Sequence, residues 1–294
     1  VCAKTLEKCE TILLNEHHKF EYVKNLEAKL KKKRPGRRTL SQFKKYARAE
    51  RETELDRLRR FDGVVCTTPN IEEQLQRIGF EGQTIVLPNG ANLELGEELP
   101  PQDTLDIDIL YVGQLYRWKG VDLLIESLPH LPGRKLTVVG GNNEEDFERL
   151  RRLSGKLGVK ERVEFLGHQP HGLVKGFMQR SKVGVVPLPR QGFPEARLFC
   201  CPLKALEMMA AGTPIVATRL KSIEGIMRDG ENCLLVDPDN PAAMAEGIRN
   251  VIEDPALREK LRQGGHRTAE ELSYHSRAAK LLAFGRQCRA TATS

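Results

Sequence analysis

Short apolar runs alternate with helical segments between Ile107 and Val236, and this alternation constrains the fold more than any other feature of the sequence. Apolar runs joined by helical crossovers form parallel sheets that are covered on both faces. Ligands of such sheets bind at the carboxyl ends of the strands. The pattern therefore predicts a doubly wound α/β domain, with strands over 107–112, 135–141, 162–167, 182–188, 214–217 and 233–236.

A shorter set of predicted strands precedes this domain, at Thr11–Leu14, Gly63–Thr68 and Thr84–Leu87. The acidic, proline-bearing stretch Asn92–Thr104 separates the two sets and is typical of a linker. We therefore predict a partial N-terminal α/β domain with its linker over residues 1–100, a ligand-binding domain over 101–275, and a helix and tail over 276–294. Further helices are predicted over 41–60, 71–78, 241–253, 255–263 and 276–282.

The stretch Leu198–Val216 predicts an anion site. A helix should begin near Leu203, where a loop opens into it, and end at Gly212. The backbone N–H groups of its first turn, together with Lys204, suit a diphosphate. Glu207 lies one turn further on, within reach of a ribose hydroxyl beside that diphosphate. The alternative interpretation is an ordinary buried helix whose lone glutamate meets solvent.

Three glycine-bearing turns follow predicted strands of the same domain. The first carries Gly113, Arg117 and Lys119, and its two cations can face phosphate oxygens. The second contains Gly141, where a ligand can approach the backbone. The third, Gly167 with His168, can stack on a nucleobase or hydrogen-bond to it. Each turn alone is also compatible with an ordinary strand-to-helix connection.

The first predicted strand delivers Glu16, His17 and His18 to its carboxyl end. Titratable groups at such an edge predict an acid–base or hydroxyl-binding site. A histidine pair on a loop surface is the alternative.

Basic residues are concentrated in one region. Fifteen Lys or Arg and six Asp or Glu lie between Glu21 and Arg60, a local charge of +9 in a chain of net charge +7. Region 24–60 is therefore predicted to contact an anionic membrane surface or an anionic acceptor, with a solvated helical face as the alternative. Few aromatic residues accompany the cations, which disfavours a nucleic-acid partner.

Cysteine usage predicts the compartment. Seven cysteines without ligand spacing indicate a reducing, cytoplasmic location, in which contact with the inner membrane face would be peripheral. The adjacent Cys200 and Cys201 are interpreted as loop packing, with redox or metal chemistry as the alternative. Because no initiator methionine stands at Val1, the chain is expected to be the downstream part of a longer protein.

Taken together, these motifs resemble the retaining glycosyltransferases of family 4. The resemblance is strongest over Asp106–Ser273. It implies the GT-B fold, in which two Rossmann-like domains with parallel sheets face a cleft, here with a truncated N-terminal domain. It also implies glycosyl transfer from a nucleoside-diphosphate sugar to an acceptor hydroxyl, with retention and without a metal or other cofactor. The segments that carry it are YVGQLYRWKGVDLLIESL, VEFLGH, PLKALEMMAAGTPIVAT and GENCLLVDPDNPAAMAEGI.

The resemblance also implies roles for individual residues. Arg117, Lys119, Glu207 and His18 are the implied catalytic residues, and Glu16 and His18 are the implied acceptor-side pair. The implied donor-binding residues are Gly113, Arg117, Lys119, Gly141, Gly167, His168, Pro202, Leu203, Lys204 and Glu207.

The sequence departs from the family pattern at one position. The family carries two glutamates spaced E-x7-E, and Phe199 stands where the first of them is expected. Glu195 and Arg197 lie nearby and are alternative contacts for the sugar. Two further interpretations therefore stay open: a nucleotide-sugar-binding subunit or fragment without catalysis, and a nucleotide-sugar epimerase or hydrolase.

Overall fold

The computed structural model describes residues 12–14, 52–95, 101–190 and 200–292. The chain divides into two compact units, one formed by Val1–Leu87 with Lys280–Ser294 and the other by Pro88–Ala279. Residues 280–292, which follow the second unit in sequence, are thus grouped with the first unit.

The first unit contains a parallel sheet in the order β1-β2-β3, formed by β1 (Ile12–Leu14), β2 (Gly63–Cys66) and β3 (Thr84–Val86). Helix α1 (Pro69–Arg77) follows β2, and the Thr68 hydroxyl accepts the Ile71 N–H at its start. Residues 52–58 are also helical, within the predicted helix over 41–60.

The second unit is built on a parallel sheet in the order β6-β5-β4-β7-β8-β9. The chain therefore moves outwards from β4 in one direction, returns to β7 beside β4, and continues in the other direction. This is the doubly wound order predicted from the sequence. The strands are β4 (Ile107–Val112), β5 (Leu136–Val139), β6 (Val163–Gly167), β7 (Ser181–Val186), β8 (Ile215–Thr218) and β9 (Leu234–Val236).

Helices cover both faces of this sheet. Alternate residues of β4 point to opposite faces, so Leu110 packs in one buried cluster with Met178 and Leu206, while Ile109 packs in another with Leu124. The helices are α2 (Val121–Ser127), α3 (Glu144–Lys156), α4 (His171–Gln179), α5 (Leu203–Ala210), α6 (Pro241–Glu253), α7 (Pro255–Glu271) and α8 (Tyr274–Ala292).

Helix α7 runs eight residues beyond its predicted end at Gln263, through Gly264 and Gly265. In the structure these glycines serve close packing, because a Cβ built on Gly264 would lie 1.9 Å from the Glu231 carbonyl oxygen. Helix α8 also extends beyond the predicted 276–282. Among the described residues, no helix has both the length and the apolar character needed to cross a bilayer.

Candidate functional site

A cavity of about 530 Å³ opens at the carboxyl edge of the six-stranded sheet. It lies where β4 and β7 adjoin and their following connections diverge, which is where open α/β sheets bind ligands. Its volume falls within the range of about 300–1,000 Å³ that is common for small-molecule sites. Its walls come from the ends of β4, β5 and β7, the loop after β6, and the start of α5.

Glycines let the turns after β4 and β5 approach each other at the cavity wall. A Cβ on Gly140 would lie 2.3 Å from the Gly113 carbonyl oxygen, so a larger residue there would separate the two turns. Gly120 ends the first turn with φ of 77°, in the left-handed region that favours glycine. Its Cα also abuts the Pro187 carbonyl, which a Cβ would approach to 1.7 Å.

Lys119 brings a cation to this cavity. Its Nζ atom lies 3.9 Å from the centroid of the Trp118 ring, a cation–π contact, and no carboxylate of the described residues pairs with it. Partial burial lowers the pKa of Lys119, and the nearby Cys200 thiol opposes that effect. The cavity is therefore bordered by a partly desolvated ammonium group whose charge is stabilised by the face of the Trp118 ring. Arg117, two residues earlier, is exposed at the start of a 3-10 turn, Arg117–Lys119.

Helix α5 begins at the opposite side of the cavity. Its N-cap residue is Pro202, whose side chain makes no capping hydrogen bond. The N–H groups of Leu203 and Lys204 have no carbonyl one turn earlier in the helix to accept them. Both residues line the cavity, so the positive end of this helix meets the space that Lys119 also borders.

Lys204, on the first turn of α5, pairs with Glu207, three residues further along the helix. The Lys204 Nζ donates to Glu207 Oε2 over 2.6 Å. The sequence had assigned them to different parts of a ligand, phosphate for Lys204 and ribose for Glu207. In the structure each is the other's partner, and Lys204 lines the cavity, whereas Glu207 is not among its lining residues.

The adjacent cysteines form another part of the wall. Cys200 is buried, and burial raises the pKa of its thiol to about 11, with Lys119 opposing the shift. Cys201 Sγ accepts the Asn89 N–H over 3.4 Å. Burial also raises the pKa of Cys201. Both thiols are therefore protonated near neutral pH, as expected for packing residues.

The structure brings many of the predicted donor residues together. Gly113, Lys119, His168, Pro202, Leu203 and Lys204 line the cavity. Gly141, Gly167 and Glu207 each directly adjoin a lining residue in the sequence, and Arg117 lies two residues before Lys119. The predicted acceptor residues Glu16 and His18 lie outside the described residues, as do Glu195, Arg197 and Phe199.

Sequence reasoning missed several lining residues. Tyr111 was predicted only as a strand residue, yet it borders the cavity and its hydroxyl donates to the Gln114 carbonyl over 2.6 Å. In the second turn, Gly140 rather than Gly141 lines the cavity. His171 at the start of α4 also lines the cavity, and the polar run from His168 to His171 was the available signal. Within the described residues, no three His, Cys, Asp or Glu side chains cluster as metal ligands.

Comparison with known proteins identifies the family. Residues 99–268 match the model of the glycosyl transferases group 1 family, over more than half of the chain. The chain belongs to the group 1 glycosyltransferases. This confirms the predicted resemblance at the level of that family.

Similar sequences carry glycosyltransferase names. The chain is 32% identical over 220 residues to the lipopolysaccharide core biosynthesis glycosyltransferase LpsE of Rhizobium meliloti, covering 74% of this chain and 61% of LpsE. It is 35% identical over 178 residues to a D-inositol 3-phosphate glycosyltransferase of Acidothermus cellulolyticus, covering 57% of this chain and 37% of that protein. The group 1 glycosyltransferase described here thus spans about three fifths or less of the length of these relatives.

Solved glycosyltransferase structures share the fold. Sucrose-phosphate synthase from Thermosynechococcus elongatus superposes with a TM-score of 0.70 at 28% identity, covering 83% of this chain and 62% of that one. HepE of Anabaena, solved with UDP-glucose, superposes with a TM-score of 0.64 at 18% identity, covering 84% and 68%. These likenesses and the parallel sheets confirm the predicted α/β fold of GT-B type.

Proposed function

We propose that this group 1 glycosyltransferase binds a nucleoside-diphosphate sugar in the cavity and transfers the sugar to an acceptor hydroxyl. The observation that carries the proposal is the placement of Lys119. Its ammonium group borders the cavity without a carboxylate partner among the described residues, and the first-turn amides of α5 border the same space. A cation and a helix N-terminus around one cavity suit a diphosphate.

These groups would stabilise the leaving group. In the proposed reaction, the bond between the anomeric carbon and the diphosphate oxygen breaks, and its electron pair stays on the diphosphate. Lys119, the α5 amides and the nearby Arg117 would stabilise the growing negative charge, which lowers the barrier if the contacts strengthen towards the transition state. The cations would take the part that a divalent ion plays elsewhere, so the proposed reaction needs no metal or other cofactor.

The acceptor oxygen would form the new bond to the anomeric carbon from the face that the diphosphate leaves, which retains the configuration. The acceptor proton would pass to the departing phosphate oxygen. Retention rests on the family resemblance, as do the proposed acceptor contacts of Glu16 and His18.

The nucleoside would lie beyond the diphosphate. Glu207 would accept hydrogen bonds from ribose hydroxyls after its pair with Lys204 opens, which leaves Lys204 free for a phosphate oxygen. The base would contact the turn at Gly167 and His168. HepE, which is solved with UDP-glucose, supports a nucleotide-sugar donor.

The direct test is calorimetric titration of the chain with UDP, GDP and their sugars, followed by a transfer assay with and without EDTA. We expect at least one nucleoside diphosphate to bind at micromolar concentration, and Lys119→Met to weaken its binding at least tenfold. Lys160→Met is the matched control, because Lys160 is an exposed lysine on the turn before β6. Equal affinity in wild type and Lys119→Met would refute the phosphate assignment.

The same assays separate the two alternatives. Donor binding without transfer to any acceptor would favour a nucleotide-sugar-binding subunit. Conversion of the donor without an acceptor would favour a hydrolase or epimerase. Loss of transfer in EDTA would contradict the metal-independent mechanism.

The location of the protein stays a prediction. We propose a cytoplasmic protein whose basic region 24–60 contacts an anionic membrane surface, and most of that region lies outside the described residues. Sedimentation with phosphatidylglycerol vesicles, but not with phosphatidylcholine vesicles, is the expected result.

A further inference from the structure

Two side chains hold consecutive carbonyl groups of the loop that carries Lys119. The Arg149 Nη2 donates to the Leu115 carbonyl oxygen over 2.7 Å, and the Tyr111 hydroxyl donates to the Gln114 carbonyl oxygen over 2.6 Å. Tyr111 belongs to β4, which leads into the loop, whereas Arg149 comes from the middle of α3. Arg149 therefore connects the loop to an element that is distant from it in sequence.

Arg149 is itself fixed by two carboxylates. It pairs with Asp122 on α2 and, over 3.2 Å, with Asp146 on α3. Its side chain is 14% exposed, so these are partly desolvated, charge-assisted contacts. One guanidinium thus joins α2, α3 and the loop between β4 and α2.

The loop transmits this restraint over a short distance. From Leu115, whose side chain is buried, four residues lead to Lys119. The Lys119 N–H donates to the Tyr116 carbonyl over 2.8 Å, and the Gly120 N–H donates to the Arg117 carbonyl over 3.1 Å. Between the clamped Leu115 carbonyl and the start of α2, the backbone is therefore held as a hydrogen-bonded turn.

We propose that Arg149 is a positioning residue, which fixes the loop from Gly113 to Gly120 and thereby holds Lys119 at the cavity. The part that concerns ligand affinity rests on the proposed role of Lys119 towards a diphosphate. Removing Arg149 leaves the Leu115 carbonyl without its donor in a buried place, and a buried acceptor without a partner favours rearrangement of the backbone that carries it. Lys119 moves with that backbone.

If Arg149 had a purely structural role, different results would be expected. If Arg149 only neutralised the carboxylates, then Asp122→Asn, which removes one ion pair and leaves the Leu115 contact, would affect the loop as much as loss of Arg149. If the carbonyl contact matters, then Arg149→Met alone should loosen the loop. Methionine keeps much of the apolar stem, so lost packing is limited. Arg152→Gln is the control on the same helix, because Arg152 is exposed and its ion pair with Glu148 spans 3.8 Å at the surface, where such pairs contribute little.

The loop contains its own reporter. Trp118 is the single tryptophan of the chain and directly precedes Lys119. The first measurement is acrylamide quenching of its fluorescence in the ligand-free chain, together with urea unfolding of each variant. We expect the quenching constant of Arg149→Met to rise at least twofold, and those of Asp122→Asn and Arg152→Gln to stay near the wild-type value. Equal quenching in Arg149→Met and wild type, or an equal rise in Asp122→Asn, would overturn the proposal.

The second measurement compares UDP with uridine, and GDP with guanosine, by calorimetry. Displacing Lys119 should weaken binding of the diphosphate about tenfold and leave the nucleoside within twofold, whereas general damage to the fold would weaken both. Equal losses for both ligands, or no loss for the diphosphate despite greater quenching, would overturn the positioning role. If the wild type binds no nucleotide, the proposed function fails, and the quenching result alone decides whether Arg149 fixes the loop.

Discussion

Lys204, on the first turn of helix α5, forms a 2.6 Å ion pair with Glu207, three residues further along that helix, at the edge of the cavity. Both are proposed to contact a nucleoside diphosphate, so in the ligand-free chain each side chain holds the group of the other that the ligand would use. Lys204 is the more exposed of the two, and such a pair contributes only about 0–1 kcal/mol in water. A ligand that offers an anion to Lys204 and hydroxyls to Glu207 can therefore replace it at small cost.

Substitutions at Glu207 and at Lys204 should shift the preference between a nucleoside diphosphate and pyrophosphate in opposite directions. We expect Glu207→Gln to weaken UDP or GDP about tenfold and to leave inorganic pyrophosphate unchanged or bound more tightly, because Lys204 loses its competing partner. Lys204→Met should weaken pyrophosphate at least as much as the nucleoside diphosphate. Calorimetric titration of both variants with both ligands measures this. A parallel loss of both ligands in Glu207→Gln would exclude the ribose role.

Diphosphate binding should have an alkaline limit set by Lys119. The residue is a cation below its pKa and neutral above it, and partial burial lowers that pKa. Affinity should therefore be full at lower pH and decline as pH rises, starting at a lower pH than for an exposed lysine. Lys119→Arg, which stays charged throughout, should lose this decline. Diphosphate affinity is measured for wild type and Lys119→Arg in the same buffers between pH 7 and 10, so that titration of the ligand affects both proteins equally. Identical affinity profiles would mean that a group other than Lys119 causes the decline.

The cysteines at the cavity wall should react slowly with alkylating reagents. The thiolate is the reactive form, and burial raises the pKa of Cys200 to about 11. We expect iodoacetamide to modify the peptide that contains Cys200 and Cys201 slowly at pH 7.5 and faster with each increase in pH. Because both residues line the cavity, a bound nucleoside diphosphate should slow the reaction further. Mass spectrometry of the peptide measures the rate, and rapid labelling at pH 7.5 that ligand does not affect would contradict this placement.

Two glycines on helices should respond in opposite ways to alanine. A Cβ on Gly264 in α7 would lie 1.9 Å from the Glu231 carbonyl oxygen, whereas a Cβ on Gly155 in α3 meets no atom within 4 Å. We expect Gly264→Ala to lower the free energy of unfolding by about 1–3 kcal/mol, through overpacking against backbone. Gly155→Ala should raise it by about 0.5–1 kcal/mol, because alanine favours the helix. Urea denaturation of both variants measures the free energy of unfolding. Equal changes in the two variants would contradict the close packing of α7.

The parts of the fold that depend on local pattern were predictable from the sequence. Each strand of the second sheet was located within a few residues, since apolar runs and glycine turns mark them directly. Parallel strands bring the turns that follow them to one edge of the sheet, and this part of the site was predictable. In the structure Gly113, Lys119 and Lys204 line one cavity at that edge.

Contacts between distant elements were not predictable in this way. Nothing in the local sequence of α3 shows that Arg149 reaches the Leu115 carbonyl, because that contact depends on how α3 packs beside the loop. The predicted end of α7 at Gln263 was too early for the same reason, since Gly264 lies within the helix and packs against the Glu231 carbonyl. A glycine that ends a helix and a glycine that admits a neighbouring backbone look alike until the neighbour is known.

The last helix has a consequence for the order of folding. Phe284 and Cys288 of α8 pack in one buried cluster with Val65 and Leu87, and a Cβ on Gly63 would lie 2.6 Å from the Cys288 sulfur. The ribosome makes β2 more than two hundred residues before it makes these partners. The apolar face of β2 therefore stays uncovered by them throughout synthesis of the second unit. We therefore expect the second unit, whose sheet is contiguous in sequence, to fold before the first unit acquires these contacts.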